Sequence, residues 1–361
     1  VDIVYLSPMN PFFIISIILF TIVIFGLPTW NIARLAGKKH WLFLLIPPIF
    51  FLGAFWLANI FESQGNIFWY QILRSVSFYV LIVGMMLFGI SILASLFSIA
   101  FSLKKKTTLV LILVLTFSYA AYARINGERI VTKQVNLETR NITRDYQFVH
   151  ISDLHSGSTD VRHAQRVVER IKKINPEFVV ITGDFIDEFY VGPADIAPFN
   201  ALDMPIYLVT GNHEYYLPEG SVQRVIEGSV IQLIDSMKIQ YDELDIIGVD
   251  ELQTVDATLE LVGGVDENRY TILLDHQPLE DEALVASENG ISLMLSGHTH
   301  KGQIWPMGLL LSLRYRYIGG LYEIGKMFLY VNAGTGTLGP KMRLGTANEV
   351  THITLSPSEE L

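Results

Sequence analysis

No cysteine occurs among the 361 residues. That excludes disulfides, thiolate-held zinc and thiol nucleophiles, and it leaves the redox compartment open. Basic blocks are missing from the portion after about Arg140, and the formal net charge is −10. Nothing there suits the neutralisation of a phosphate backbone, so nucleic acid is not an expected partner. Charge of either sign is scarce in the first third, which is strongly apolar. The mean hydropathy of +0.37 is high for a soluble enzyme, and the length allows more than one domain. Internal repeats and low-complexity tracts are lacking.

What the first third does contain is long hydrophobic runs. Crossing a hydrocarbon core of ~30 Å takes ~20 apolar residues. Four spans are expected, at about 11–30, 41–61, 79–101 and 107–124, forming a transmembrane domain over residues 1–124. Pro47-Pro48 should kink or break the second. The segment IFWYQILRSVSF before the third, with Trp69, Tyr70 and Arg74, should lie in the interface. No small-residue cleavage site follows the first run, so a signal peptide is not the expected reading. Short-loop Lys and Arg set orientation. Arg34, Lys38 and Lys39 occupy the first loop and Lys104, Lys105 and Lys106 the third, whereas ESQGN in the second has none. These counts put the globular portion of a multi-pass protein on the extracytoplasmic side, although Arg124, Arg129 and Lys133 argue the other way.

A linker is expected over 125–144, and a globular domain over 145–361. There, apolar runs alternate with a helical pattern. In TDVRHAQRVVERIKKINP, Val161, Ala164, Val167, Val168, Ile171 and Ile174 keep the helical period, and Pro176 ends it. YQFVHIS, EFVVITGD, PIYLVTGNHE, RYTILLDHQP, ISLMLSGHTH and MFLYVNAGTG read as strands. Most of these strands stop at residues able to bind metal: Asp153 and His155 in SDLH, Asp184 in GDFID, Asn212 and His213 in GNHE, His276 in LDHQP, and His298 and His300 in GHTH. Each fragment alone is an ordinary cap or loop. Jointly, at successive strand ends, they point to a metal site, because ligands in α/β sheets gather at the carboxyl ends of strands. Residues i and i+2 of an extended segment point the same way, so GHTH presents two imidazoles together. Carboxylate, imidazole and amide oxygen suit Mn²⁺ first, with Fe or Zn²⁺ as alternatives.

The ordered set D-x-H, GDxxD, GNH(D/E), lone His and GHxH resembles the calcineurin-like metallophosphoesterase family. The resemblance covers the last 215 or so residues. It implies a β-sandwich flanked by helices, an α+β or α/β fold, with two divalent metal ions. Carried over, Asp153, His155, Asp184 and His300 hold one ion, and Asp184, Asn212, His276 and His298 hold the other, with Asp184 bridging. His213 is then the acid that protonates the leaving oxygen, and Asp187 the carboxylate that orients it. Phosphoprotein phosphatases of the family continue GDxxD with Arg-Gly, whereas this chain has Glu188-Phe189, which speaks against a phosphoprotein substrate. NAGTGTLGPKMRLGTANEV is similar to the C-terminal part of bacterial membrane-associated members that include lipid-directed UDP-diacylglucosamine hydrolases, and Arg343 and Lys301 are candidate substrate-binding residues.

WPMGLLLSLRYRYIGGLY follows the GHTH motif and reads either as a hairpin packed on the core or as an apolar lip beside the metals. The expected function is a membrane-anchored, dinuclear-metal phosphoesterase acting on a phosphorylated lipid or lipid-linked headgroup. Two rivals are a hydrolase of soluble phosphoesters that is merely anchored, and a transporter or receptor with a regulatory phosphoesterase domain. The near absence of ionisable residues inside the spans disfavours the transporter. Oligomeric state is not legible.

Overall fold

The computed structural model describes residues 11–37, 46–252, 255–266 and 268–358. The chain forms two compact units, Val1–Tyr122 and Ala123–Leu361.

The first unit is helical: α1 (Pro11–Leu35), α2 (Ile46–Ser63), α3 (Ile67–Ala100) and the greater part of α4 (Lys105–Asn126). Among the described residues, α3 and α4 are long and apolar enough to cross a membrane, and the apolar helix Pro48–Ser63 is shorter. Two of the four expected spans therefore pass on length and composition. Residues 41–45 of the second span, with Lys38 and Lys39 of the first loop, lie outside the described residues. Pro47 and Pro48 do not kink a span. They stand in the first turn of α2, where backbone N–H groups have no intrahelical partner and proline is tolerated. Nor is there a break between an interfacial segment and the third span: α3 is one helix of 34 residues, about 50 Å at ~1.5 Å per residue. Asn31 of α1 donates to Ser91 and Ser95 of α3 at 2.8 and 2.7 Å, a polar contact between two apolar helices.

The second unit is built on two six-stranded sheets. The strands are β1 (Ile130–Thr139), β2 (Tyr146–Ile151), β3 (Phe178–Thr182), β4 (Ile206–Val209), β5 (Ile231–Leu233), β6 (Met237–Tyr241), β7 (Leu244–Gly248), β8 (Tyr270–Leu274), β9 (Leu293–Ser296), β10 (Gly320–Ile324), β11 (Met327–Val331) and β12 (Asn348–Pro357). One sheet runs β1-β12-β2-β3-β4-β5 and the other β10-β11-β9-β8-β7-β6. Within them, β2 to β5 are mutually parallel, as are β7, β8, β9 and β11. Side chains alternate across each pleat. Phe148, Phe178 and Val180 of one sheet meet Ile246, Ile272 and Leu295 of the other in a shared core. Phe148 stacks on Phe178 with ring centroids 4.7 Å apart. Val149, Ile151, Val179 and Ile181 face the other way, onto Val167 and Ile171 of α5 (Val161–Ile174). The Asp160 carboxylate caps α5 by accepting from the His163 N–H, and Asn175 closes it in the left-handed conformation.

The stretch read as a linker, 125–144, is largely β1, paired in parallel with β12 along ten residues. Its sequence, IVTKQVNLET, buries Val135 and Leu137 between exposed neighbours. That alternation marks a strand with one face in water.

Candidate metal centre

The parallel strands of both sheets end at one place, and the ligand-type residues stand just beyond them. β2, β3 and β4 deliver Asp153, His155, Asp184, Asn212 and His213; β8 and β9 deliver His276, His298 and His300. Asp153, His155, Asp184, His298 and His300 all have φ between 49° and 68°. Non-glycine residues rarely take this left-handed backbone, and each costs on the order of 1–3 kcal/mol. Such clustering is a mark of functional sites. Two glycines permit the crowding. A Cβ on Gly211 would meet Asp184 Oδ1 at 2.5 Å, and one on Gly297 would meet Asp153 Oδ2 at 2.4 Å.

Two donor sets share Asp184. In the first, His155 Nε2 lies 3.0 Å from His300 Nε2 and 3.7 Å from Asp184 Oδ2, and His300 Nε2 lies 3.4 Å from Asp153 Oδ1. In the second, His276 Nε2 lies 3.3 Å from Asp184 Oδ2, 3.2 Å from Asn212 Oδ1 and 3.2 Å from His298 Nδ1. The candidate ligands are buried, apart from Asn212 and His298 at the rim, which are partly so.

Hydrogen bonds at the back of each ring decide what faces inward. His276 Nδ1 donates to the Thr182 carbonyl at 2.8 Å. The Tyr315 hydroxyl donates to Gln277 Oε1 at 2.9 Å, so at 2.8 Å it accepts from His298 Nε2. In the neutral imidazoles this leaves the lone pairs on His276 Nε2 and His298 Nδ1, which lie 3.2 Å apart with an Asp184 carboxylate oxygen within 4.8 Å of both. Electron-pair donors that converge this closely need a cation among them, and these residues fit a pair of divalent ions sharing the Asp184 carboxylate.

The electrostatics of the donor sets agree. Burial opposes protonation of His276, yet Asp184 and Asp153 hold its imidazole well above the usual range. Burial likewise opposes a charge on His155, but the Asp187 contact with Asp184 and Asp153 raises it to about 9. Burial raises the Asp153 carboxyl, and it lowers His298 to about 3.

Two expectations change. Asp187 does not bond to His213. Its Oδ2 stands 3.2 Å from His155 Nδ1, without a directed hydrogen bond, and its carboxylate accepts from Ser158 N and Oγ at 3.0 and 2.5 Å. A nitrogen of His213 lies within 4.8 Å of it. Arg343 does not reach a substrate. It is 0% exposed and spends its donors on the carbonyls of Ala333, Gly334 and Gly336 and on Asn348 Oδ1 at 2.6–3.0 Å. That loop in turn donates from Thr335 and Gly336 to the carbonyls of Ser152 and Asp153 at 2.7 and 2.8 Å. Arg343 is therefore a support for Asp153. Lys301, one residue from His300, is exposed.

Two supports escaped the sequence. Glu214 accepts from the backbone N–H groups of Asp184, Ile186 and Gly211 at 2.8–3.0 Å, tying two ligand loops together; its signal was the last letter of GNHE. Tyr315 had none, because fourteen residues separate it from the GHTH motif it serves. Tyr315→Phe removes the acceptor that fixes the His298 tautomer. It should weaken metal affinity by about 10–100-fold, the usual scale for such outer contacts, read by calorimetric titration with Mn²⁺. Unchanged affinity would remove Tyr315 from the site.

The family "Calcineurin-like phosphoesterase" matches residues 146–302. An uncharacterized metallophosphoesterase of Campylobacter jejuni is 30% identical over 263 residues, covering 67% of this chain and 68% of that one. A zebrafish (Danio rerio) protein named as a transmembrane protein with metallophosphoesterase domain is 30% identical over 272 residues, covering 68% of this chain and 62% of its own length. The bovine protein of that name is 33% identical, and the match spans about half of it, 52%. Among solved structures, the 5'-nucleotidase precursor of Thermus thermophilus aligns with a TM-score of 0.38 at 14% identity, over 59% of this chain and 54% of that one. With that match to Campylobacter jejuni and the two donor sets around Asp184, the chain belongs to the calcineurin-like metallophosphoesterases, a family of metal-dependent phosphoester hydrolases.

Proposed function

We propose a membrane-tethered phosphoesterase whose substrate is a phosphate or pyrophosphate ester of an amphiphile. Asp153, His155, Asp184 and His300 would hold one divalent ion, and Asp184, Asn212, His276 and His298 the other, with Mn²⁺ the first choice. Two such ions supply Lewis-acid polarisation of the phosphoryl group and an activated water at neutral pH. The chain's own residues do the rest. Asn212 ligates through a neutral oxygen and leaves the centre attractive to an anion. His213, anchored by its N–H to Asp184 Oδ1 at 2.9 Å, protonates the leaving oxygen. Lys301 meets the outer phosphate charge.

One observation carries the lipid reading. The segment that holds His298 through Tyr315 also bears exposed apolar side chains, so an acyl chain would find a surface beside the metals. The test is a screen of phosphate and headgroup release by the full chain in detergent with Mn²⁺, across phospholipids, lipid pyrophosphates and soluble esters. Turnover confined to soluble esters would overturn the lipid reading. The lysine-rich loops favour an extracytoplasmic second unit. Ser358→Cys should then react with an impermeant maleimide in intact cells, and labelling only after lysis would reverse the side.

A further inference from the structure

The geometry points to an interfacial anchor: the helix Met307–Leu311 and its flanks enter the surface of a lipid bilayer. This rests on the membrane tether proposed above, and it adds a second point of contact.

The short helix Met307–Leu311 buries none of its residues. Trp305, Leu309, Leu310 and Leu313 are 54%, 64%, 57% and 84% exposed, all within nine residues. Isolated exposed leucines are ordinary, but a contiguous apolar patch marks an interaction surface. Tryptophan and leucine with a neighbouring cation are the composition that settles at a bilayer interface. Arg314, exposed beside the patch, supplies the charge that anionic headgroups attract.

Where the patch lies within the second unit says what covers it. The chain enters this unit through the last turn of α4, a helix apolar enough to cross a membrane. That turn is fastened to residues 343–346: Arg343 N donates to the Ala123 carbonyl at 2.9 Å, and Asn126 Nδ2 donates to the carbonyls of Arg343 and Thr346 at 3.1 and 2.6 Å. The same short segment holds the start of the patch, since Trp305 N donates to the Leu344 carbonyl and Leu344 N to the Gln303 carbonyl, both at 2.9 Å. Chain entry and patch are two edges of one segment. If α4 ends at a membrane surface, the patch is at that surface too. A bilayer therefore fits as the occupant better than a second copy of the chain, which nothing at this edge requires.

The absence of cysteine makes the test clean. Single-cysteine variants Leu310→Cys, Leu313→Cys and Asp203→Cys of the full chain would each carry a nitroxide. Asp203 is an exposed control just before β4, at the end of the strands opposite the metal site. In nanodiscs of phosphatidylcholine with phosphatidylglycerol, the labels at 310 and 313 should show a several-fold higher ratio of oxygen to nickel-chelate accessibility than the label at 203. Metal content and circular dichroism equal to the parent chain would establish that the variants are folded. Equal ratios at all three positions would overturn the anchor. So would labels shielded from both reagents with dipolar broadening that grows with protein concentration, because a second copy would then be the cover. The substrate screen separates the two claims. Inserted labels with turnover of soluble esters alone leave the anchor standing without the lipid substrate, and lipid turnover with aqueous labels does the reverse.

Discussion

Asp184→Asn is expected to empty both metal positions and to abolish turnover. The substitution keeps the shape of the side chain, including the oxygen that accepts from His213 N at 2.9 Å. It also leaves the Glu214 bonds to the loop in place, because those are made to the backbone. What it removes is the one negative charge shared by the two donor sets, 3.3 Å from His276 Nε2 and 3.7 Å from His155 Nε2. Elemental analysis should find close to two ions per parent chain and a clear loss in the variant. Turnover should fall by at least ~10²–10³-fold, the scale on which one preorganised electrostatic contact acts. Two bound ions with full activity in Asp184→Asn would sink the shared-carboxylate assignment.

His213→Ala should separate chemistry from metal binding. His213 lies beside the first donor set, its ring edge-on to that of His155 with centroids 4.7 Å apart. Asn212, next to it, already fills the donor position in the second set. Burial, then the charge on His155, pushes His213 down to about 4. It becomes a useful acid when a phosphate anion lies against it and favours the imidazolium. The variant should retain both ions and lose roughly 10²–10⁴-fold in turnover on alkyl esters, the range of general acid catalysis. On p-nitrophenyl esters, whose leaving group needs no proton, the loss should be much smaller. Equal losses on both, or loss of metal, would count against the role.

The ligand set was legible because every member sits within a few residues of an apolar run, and apolar runs are the plainest signal a sequence carries. Asp153, Asp184, Asn212, His276, His298 and His300 all follow parallel strands that are mostly apolar and almost wholly buried. β1 and β12 carry polar residues on one face, and the hairpin β6–β7 turns on only Asp242 and Glu243, so these strands lack that signal. The supports were harder still. Arg343 reads as a surface residue because arginine usually is one, and the carbonyls of the 333–336 loop with Asn348 Oδ1 make its burial tolerable. Tyr315 and Gln277 act through contacts between segments 38 residues apart, which no local pattern reports. The resemblance supplied the pairing of ligands with ions. It placed Asp187 on His213, where the structure pairs it with His155.

Each donor set draws on both sheets. Asp153, His155 and Asp184 come from one and His300 from the other; Asp184 and Asn212 from one and His276 and His298 from the other. An ion held in either set is therefore a rivet across the seam of the sandwich. Five residues in the left-handed conformation, Asp153, His155, Asp184, His298 and His300, lie where the two layers meet. Occupancy becomes mechanical as well as chemical: an ion at ~100 times its dissociation constant adds ~2.7 kcal/mol to the folded state. A chelator then loosens the joint between the sheets along with silencing the enzyme, and heat resistance becomes a gauge of how fully the seam is riveted.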